Sequence, residues 1–246
     1  MIFYVLHAFS IIVFVLSAIG ESTLPVTICK RNAADHSTCL KNAIKEALPR
    51  LIPGLPEFDF PSLDPLHYEY GKAILNSGDL RGEIIMSNVT ATGIAKVHIF
   101  DVRTNLNDGV FRLEIDTQIP KLFFDGNIKL NGTVSVFRAQ GKGYFNVTGA
   151  DVRTTWDMIG PVVNDTWIIE HFYATPLFTK FKMYSNFLSD QSKEFNDLIL
   201  TFINEFWPAI HRATLPIATG IWDPWLTNFP NKLFSKVPFS KIFPEN

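Results

Sequence analysis

The sequence predicts an α+β fold in which one antiparallel sheet lays its apolar face on a long C-terminal helix. Three observations carry this. Residues 192–234 form an amphipathic run in which Phe195, Ile199, Phe202, Phe206, Ile210, Ala213, Ile217, Ile221 and Trp225 recur in steps of three and four. From about 67 to 184 the pattern changes to alternation of apolar and polar residues, the period of half-buried strands. The order is a short helix, many strands, then a long helix, which argues against βαβ units and a parallel sheet.

Residues 1–20 are an apolar block ending in Ala18-Ile19-Gly20, a small-x-small cleavage pattern, and read as a secretory signal peptide, with a signal anchor as the alternative. Residues 21–246 are then a single domain, since no repeat or low-complexity linker divides them. Cys29 and Cys39 are the chain's two cysteines, and an oxidising compartment joins them into a small loop. From Cys39 the stripe Leu40, Ala43, Ile44, Ala47, Leu48 and Leu51 predicts a first helix behind the capping residues Asp35 to Thr38. Pro49, Pro53, Pro56, Pro61 and Pro65 make an extended connection ending near Leu66.

Among the strands, Phe111, Leu113 and Ile115 alternate with charged residues. Ile128, Leu130, Val134 and Val136 alternate with polar ones, as do Phe145 and Val147. Asn107-Asp108-Gly109 and Asp125-Gly126-Asn127 carry turn chemistry. Four Asn-x-Thr sequons, at Asn88, Asn131, Asn146 and Asn164, mark candidate glycosylation sites; those at Asn131 and Asn146 fall on the polar strand faces. In the last run Pro208, Pro216 and Pro224 predict a kinked helix or collinear segments.

With 22 basic and 24 acidic residues the net charge is −2, which gives no footing for nucleic acid. No second apolar stretch after the leader is long enough to span a bilayer, so stable membrane insertion is not expected. Catalytic signatures are missing: there is no GxSxG, no HExxH and no P-loop. Gly141-Lys142-Gly143 is a lone GxG between strands and reads as close backbone packing or a bend. His36, His67, His98, His171 and His211 lack ligand spacing, so no metal or cofactor is expected. The 22 Phe and 5 Trp can fill a core or line a cavity, and composition does not choose between them.

Taken in order, several pieces resemble the insect takeout and juvenile hormone-binding protein family across essentially the whole mature chain. They are the Cys29–Cys39 pair, Gly54-Leu55-Pro56, Leu63-Asp64-Pro65-Leu66, the strand from Asn88 to Ile94, and Gly141-Lys142-Gly143-Tyr144. The end matches best, in Phe202-Ile203-Asn204-Glu205-Phe206-Trp207, Lys236-Val237-Pro238-Phe239 and Ile242-Phe243-Pro244. With no second cysteine pair downstream, the chain is more similar to the takeout branch. The resemblance implies a long helix wrapped by a highly curved antiparallel sheet, tubular and lipid-binding-like. It also implies an elongated apolar cavity for a terpenoid, a fatty acid or a juvenile hormone-like molecule.

The expected function is therefore a secreted, extracellular, non-enzymatic carrier of one small hydrophobic ligand, needing no cofactor; a protein receptor is not identifiable. Candidate wall residues are Leu48 and Leu51 from the first helix, and Phe111, Leu113, Phe145, Trp156 and Phe172 from the strands. Ile199, Phe202, Phe206 and Ile210 are the candidates from the long helix. The alternatives are a secreted lipid-ester hydrolase and an extracellular interaction module whose interior is filled by its own side chains.

Overall fold

A computed structural model describes residues 26–77, 80–134, 137–186 and 193–245. The expected signal peptide, the expected helix start at Ser192 and the Ser135-Val136 end of one predicted strand lie outside them. Among the described residues three α-helices, α1 (His36–Leu51), α2 (Lys193–Phe234) and α3 (Phe239–Ile242), frame eight strands. The strands are β1 (Leu66–Ser77), β2 (Leu80–Thr92), β3 (His98–Asn107), β4 (Val110–Val134), β5 (Phe137–Val163), β6 (Thr166–Trp167), β7 (His171–Ala174) and β8 (Lys180–Ser185). They form one curled antiparallel sheet of order β1-β2-β4-β5-β6, with β3 on β4 and both β7 and β8 on β5.

The 25-residue β4 and 27-residue β5 are the spine of this sheet, paired from Val110↔Pro161 to Val134↔Phe137. One half of β4 carries β3 and the other carries β2; one half of β5 carries β7 and the other β8. Asn107-Asp108-Gly109 makes the predicted tight turn into β4, with Asp108 at φ 48° and Gly109 at φ 77°.

Asp125-Gly126-Asn127 makes no turn: it lies inside β4. Gly126 is there because β2 comes too close for a side chain, since a Cβ would sit 3.0 Å from Val89 Cα and 3.2 Å from the Asn88 carbonyl oxygen. Asn88 is itself left-handed at φ 50°, where the register between β2 and β4 slips.

The change of phase between the two predicted alternations has a different cause. Burial in β4 runs through odd positions from Phe111 to Ile119 and then switches to Leu122 and Gly126. In β5 it runs through Gly141, Phe145 and Gly149, then Val152, Met158 and Gly160. Both switches flank one missing pair, Pro120 opposite Asp151. Proline donates no ladder hydrogen bond and Asp151 is left-handed at φ 47°, so both strands roll over together there.

This waist divides the molecule. On one side lies a solid core, in which Phe111 packs edge to face with Trp167 and Phe239, both at 4.9 Å between ring centroids. Leu40, Ala43, Val102, Leu113, Ile115, Met158, Leu233, Ile242 and Phe243 complete it. The disulfide Cys29–Cys39 ties the incoming chain to α1. His36, buried, donates from Nδ1 to the Lys30 carbonyl at 2.9 Å and accepts at Nε2 from the Thr104 hydroxyl at 3.1 Å, a satisfied interior histidine. The chain's far end closes the same core, with Arg31 Nε donating to the Phe243 carbonyl at 2.7 Å and its guanidinium over the Phe239 ring.

α2 is one continuous helix of 42 residues, about 60 Å long. Pro208, Pro216 and Pro224 all sit on exposed positions, so each lost hydrogen bond falls where water reaches the backbone. No helix among the described residues is long and apolar enough to cross a membrane.

Candidate functional site

Beyond the waist, and beyond a small cluster of Ile119, Leu122 and Val152 against which Phe124 and Phe178 pack, the sheet is lined but not filled. Cross-strand partners share a face, and one face reads Ile84 and Met86 on β2, then Phe124, Ile128 and Leu130 on β4. It continues through Phe145 and Val147 on β5 to Phe181 and Met183 on β8. Phe181 stacks on Trp207 of α2 at 5.6 Å, so this is the face the helix covers. Gly141, Gly143 and Gly149 stand opposite Leu130, Ile128 and Leu122, and two of them add no bulk to the face; the ring of Phe178 lies over the third.

Apart from Phe145 and Leu122, these large side chains are only half-buried, as are Ile199, Ile203, Trp207 and Ile210 on the helix. A sheet face under a helix stays half-accessible when the space between them is not packed. The solid half, built from the same strands, shows the contrast, because Phe111 is 1% exposed and Val102 is 0%.

The helix is held over this face along one flank. The Asn204 amide accepts from Met183 N–H at 2.7 Å and donates to its carbonyl at 2.9 Å, completing the unpaired edge of β8. Asn231 does the same to Ile169, at 2.9 and 2.8 Å. Asp223 accepts from Phe172 N–H at 2.6 Å and pairs with His171 Nδ1 at 2.7 Å, and Asn196 donates to the Ser185 carbonyl at 3.2 Å. On the other flank Tyr68 of β1 meets Trp225 edge to face at 4.9 Å, beside an open groove of about 810 Å³ also lined by Tyr70, Phe229 and Lys232.

Titratable chemistry in the covered space is sparse. His211 faces Phe178 at 5.2 Å, and burial lowers its pKa from the usual histidine value. Burial also raises the Tyr68 phenol. The carboxylates that do gather, Glu114, Asp116 and Asp157, line a convex-face groove of about 600 Å³ and are engaged by arginine. Arg112 makes a two-pronged pair with Asp157, both contacts at 2.8 Å, and Arg103 holds Asp116 below the ordinary carboxylate range. Among the described residues no group of three or more His, Cys, Asp or Glu could hold a metal.

The candidate wall residues fall into four groups. Phe111 and Leu113 lie in the solid core. Leu48, Leu51, Trp156 and Phe172 are half-buried at its margin. Phe145, Ile199 and Ile210 belong to the lined half, whereas Phe202 and Phe206 are 53% and 55% exposed. The sequence pattern puts Asn204 on the polar face of an amphipathic helix without a fastening role, and does not single out Asn231 and Asp223. Their signal was present as amides and a carboxylate spaced along one flank, two positions from large apolar residues. Of the sequons, Asn88, Asn131 and Asn164 are exposed and Asn146 is half-buried on the outer face.

The haemolymph juvenile hormone binding protein (JHBP) family model matches residues 9–244. Among solved structures, the crystal structure of Epiphyas postvittana Takeout 1 is similar at 18% identity with a TM-score of 0.71, covering 89% of this chain and 100% of that one. No curated protein sequence matches.

Proposed function

We infer, since the chain belongs to the haemolymph juvenile hormone binding protein family, that it is a secreted carrier of one small hydrophobic ligand. The observation that carries this reading is the contrast between the packed half and the lined, half-accessible half of a single sheet. Half-buried Ile, Met, Val and Phe under a helix are an apolar lining, and a ligand that completed their burial gains about 25 cal/mol per Å². Burying about 300 Å² of apolar chain gives about 7 kcal/mol before the cost of immobilisation. The ligand class is a terpenoid, fatty acid or juvenile hormone-like molecule, extended to follow the helix axis.

In this reading Phe145, Ile199 and Ile210 are wall residues together with Val147, Ile203 and Trp207, and Phe111 and Leu113 serve the closed end. Residues 21–246 act as one domain after loss of a signal peptide at 1–20, and the exposed sequons carry glycans. Native mass spectrometry of the secreted protein before and after solvent extraction tests it. Loss of one small apolar mass, with uptake of cis-parinaric acid at about one per chain, is the expected outcome. A chain that releases nothing and takes up no probe overturns the reading.

A further inference from the structure

Each residue that pins α2 to β8, to β7 or to Ile169 just before β7 has a large apolar residue two positions on, about 200° round the helix. Asn196, Asn204, Asp223 and Asn231 are followed by Leu198, Phe206, Trp225 and Leu233. The flank opposite the pins is thus apolar toward both ends of the helix. Toward the C-terminal end it is covered, since Trp225 meets Tyr68 at 4.9 Å, Phe229 meets Phe60 at 6.4 Å, and Leu233 is buried.

Toward the other end it is bare. Leu198 is 62% exposed, and Phe202 and Phe206, in ring contact at 4.9 Å, are 53% and 55% exposed. One helical step inward from this bare stretch lie Ile199, Ile203 and Ile210, on the lined side. β1, the strand that meets this flank at Tyr68, is terminal in the sheet, with no strand on its outer edge among the described residues. Among the described residues the helix is fastened along one side and meets the other through the ring contacts of Trp225 and Phe229 in its C-terminal half.

We propose that this bare stretch is a lateral mouth, where the apolar chain of a fatty acid or terpenoid slides over Leu198, Phe202 and Phe206, between β1 and α2, into the lined space. The Tyr68–Trp225 contact closes the seam beyond it. The proposal rests on the carrier reading above. It gives Phe202 and Phe206 a role in passage instead of in the bound state. A chain arriving at the opposite end meets the solid core instead.

The test is stopped-flow uptake and release of cis-parinaric acid by the full mature chain. Leu198→Glu, Phe202→Glu and Phe206→Glu put charge on a mouth without touching the wall. They slow uptake and release by the same factor, about tenfold for the Phe202→Glu/Phe206→Glu pair, and leave Kd within about twofold. Tyr68→Ala, approached from the strand side, speeds both rates together. Phe100→Glu, on an exposed β3 position, changes neither. Two results overturn the mouth while leaving the carrier standing: rates unaffected by every rim variant, or a weaker Kd through faster release alone, which makes these residues wall. A wild-type chain that takes up no probe removes both ideas together.

Discussion

The side-chain amide of Asn204 reads both backbone groups of Met183, as a neighbouring strand does, at 2.7 and 2.9 Å. Asn204→Leu leaves one N–H and one carbonyl of β8 without a partner in a half-buried seam. The expected loss is about 1–3 kcal/mol of stability in urea denaturation, with a similar loss for Asn231→Leu. Equal stability of Asn204→Leu and wild type removes the fastening role from this residue.

The two halves respond differently to truncation. Phe111→Ala removes a ring that touches Trp167, Phe239 and Phe243, and costs about 3–5 kcal/mol. Ile84→Ala or Ile203→Ala, at half-buried positions, costs less than about 2 kcal/mol and weakens the binding of cis-parinaric acid instead. Denaturation and probe titration on the same three variants check the contrast.

Asp64 and Gly93 join two sequence motifs that are far apart in the chain. The Asp64 carboxylate accepts from Gly93 N–H at 3.1 Å and Ala95 N–H at 2.8 Å, tying the connection before β1 to the turn after β2. Asp64→Ala loses about 1–3 kcal/mol. Gly93→Ala loses more than a glycine in ordinary backbone would, because its φ is 111° and a Cβ would lie 2.2 Å from the Lys121 carbonyl oxygen. Thermal unfolding ranks the two.

Acidification acts through His211. Its folded-state pKa is lowered by burial against Phe178, so the unfolded chain binds the proton first as pH falls. Stability is complete above the unfolded value of about 6.5 and falls as pH drops through it toward the folded pKa. His211→Leu flattens the dependence of Tm on pH between about 7 and 5. An unchanged slope in the variant removes His211 as the source.

Reducing Cys29–Cys39 opens a short loop, separation 10, at the base of α1. The chain-entropy model gives about 2–3 kcal/mol, read as the difference in urea midpoint with and without reductant.

Periodicity made much of the architecture legible. The steps of three and four from Phe195 to Trp225 located α2, and alternation located β4 and β5. The same alternation misled at Asp125-Gly126-Asn127, because a change of phase reads alike whether the chain turns or rolls over within one long strand. Pro120 and Asp151 make the roll, 31 residues apart in sequence and adjacent only through pairing. The division into a filled and a lined half was illegible for a related reason. Phe111 and Phe145 have equally apolar strand positions, and only the arrival of α1, Phe239 and Phe243 over one of them fills the space. Phe202 and Phe206 belong to the helix's apolar stripe by spacing, yet that stripe is wider than the face the sheet covers.

The waist at Pro120 and Asp151 separates what keeps this chain folded from what it can hold. Substitutions on the lined side are expected to alter the cargo while the aromatic cluster around Phe111 goes on setting the melting point. A scaffold arranged so is open to diversification: its lineage can explore new small molecules at one end without renegotiating its stability at the other.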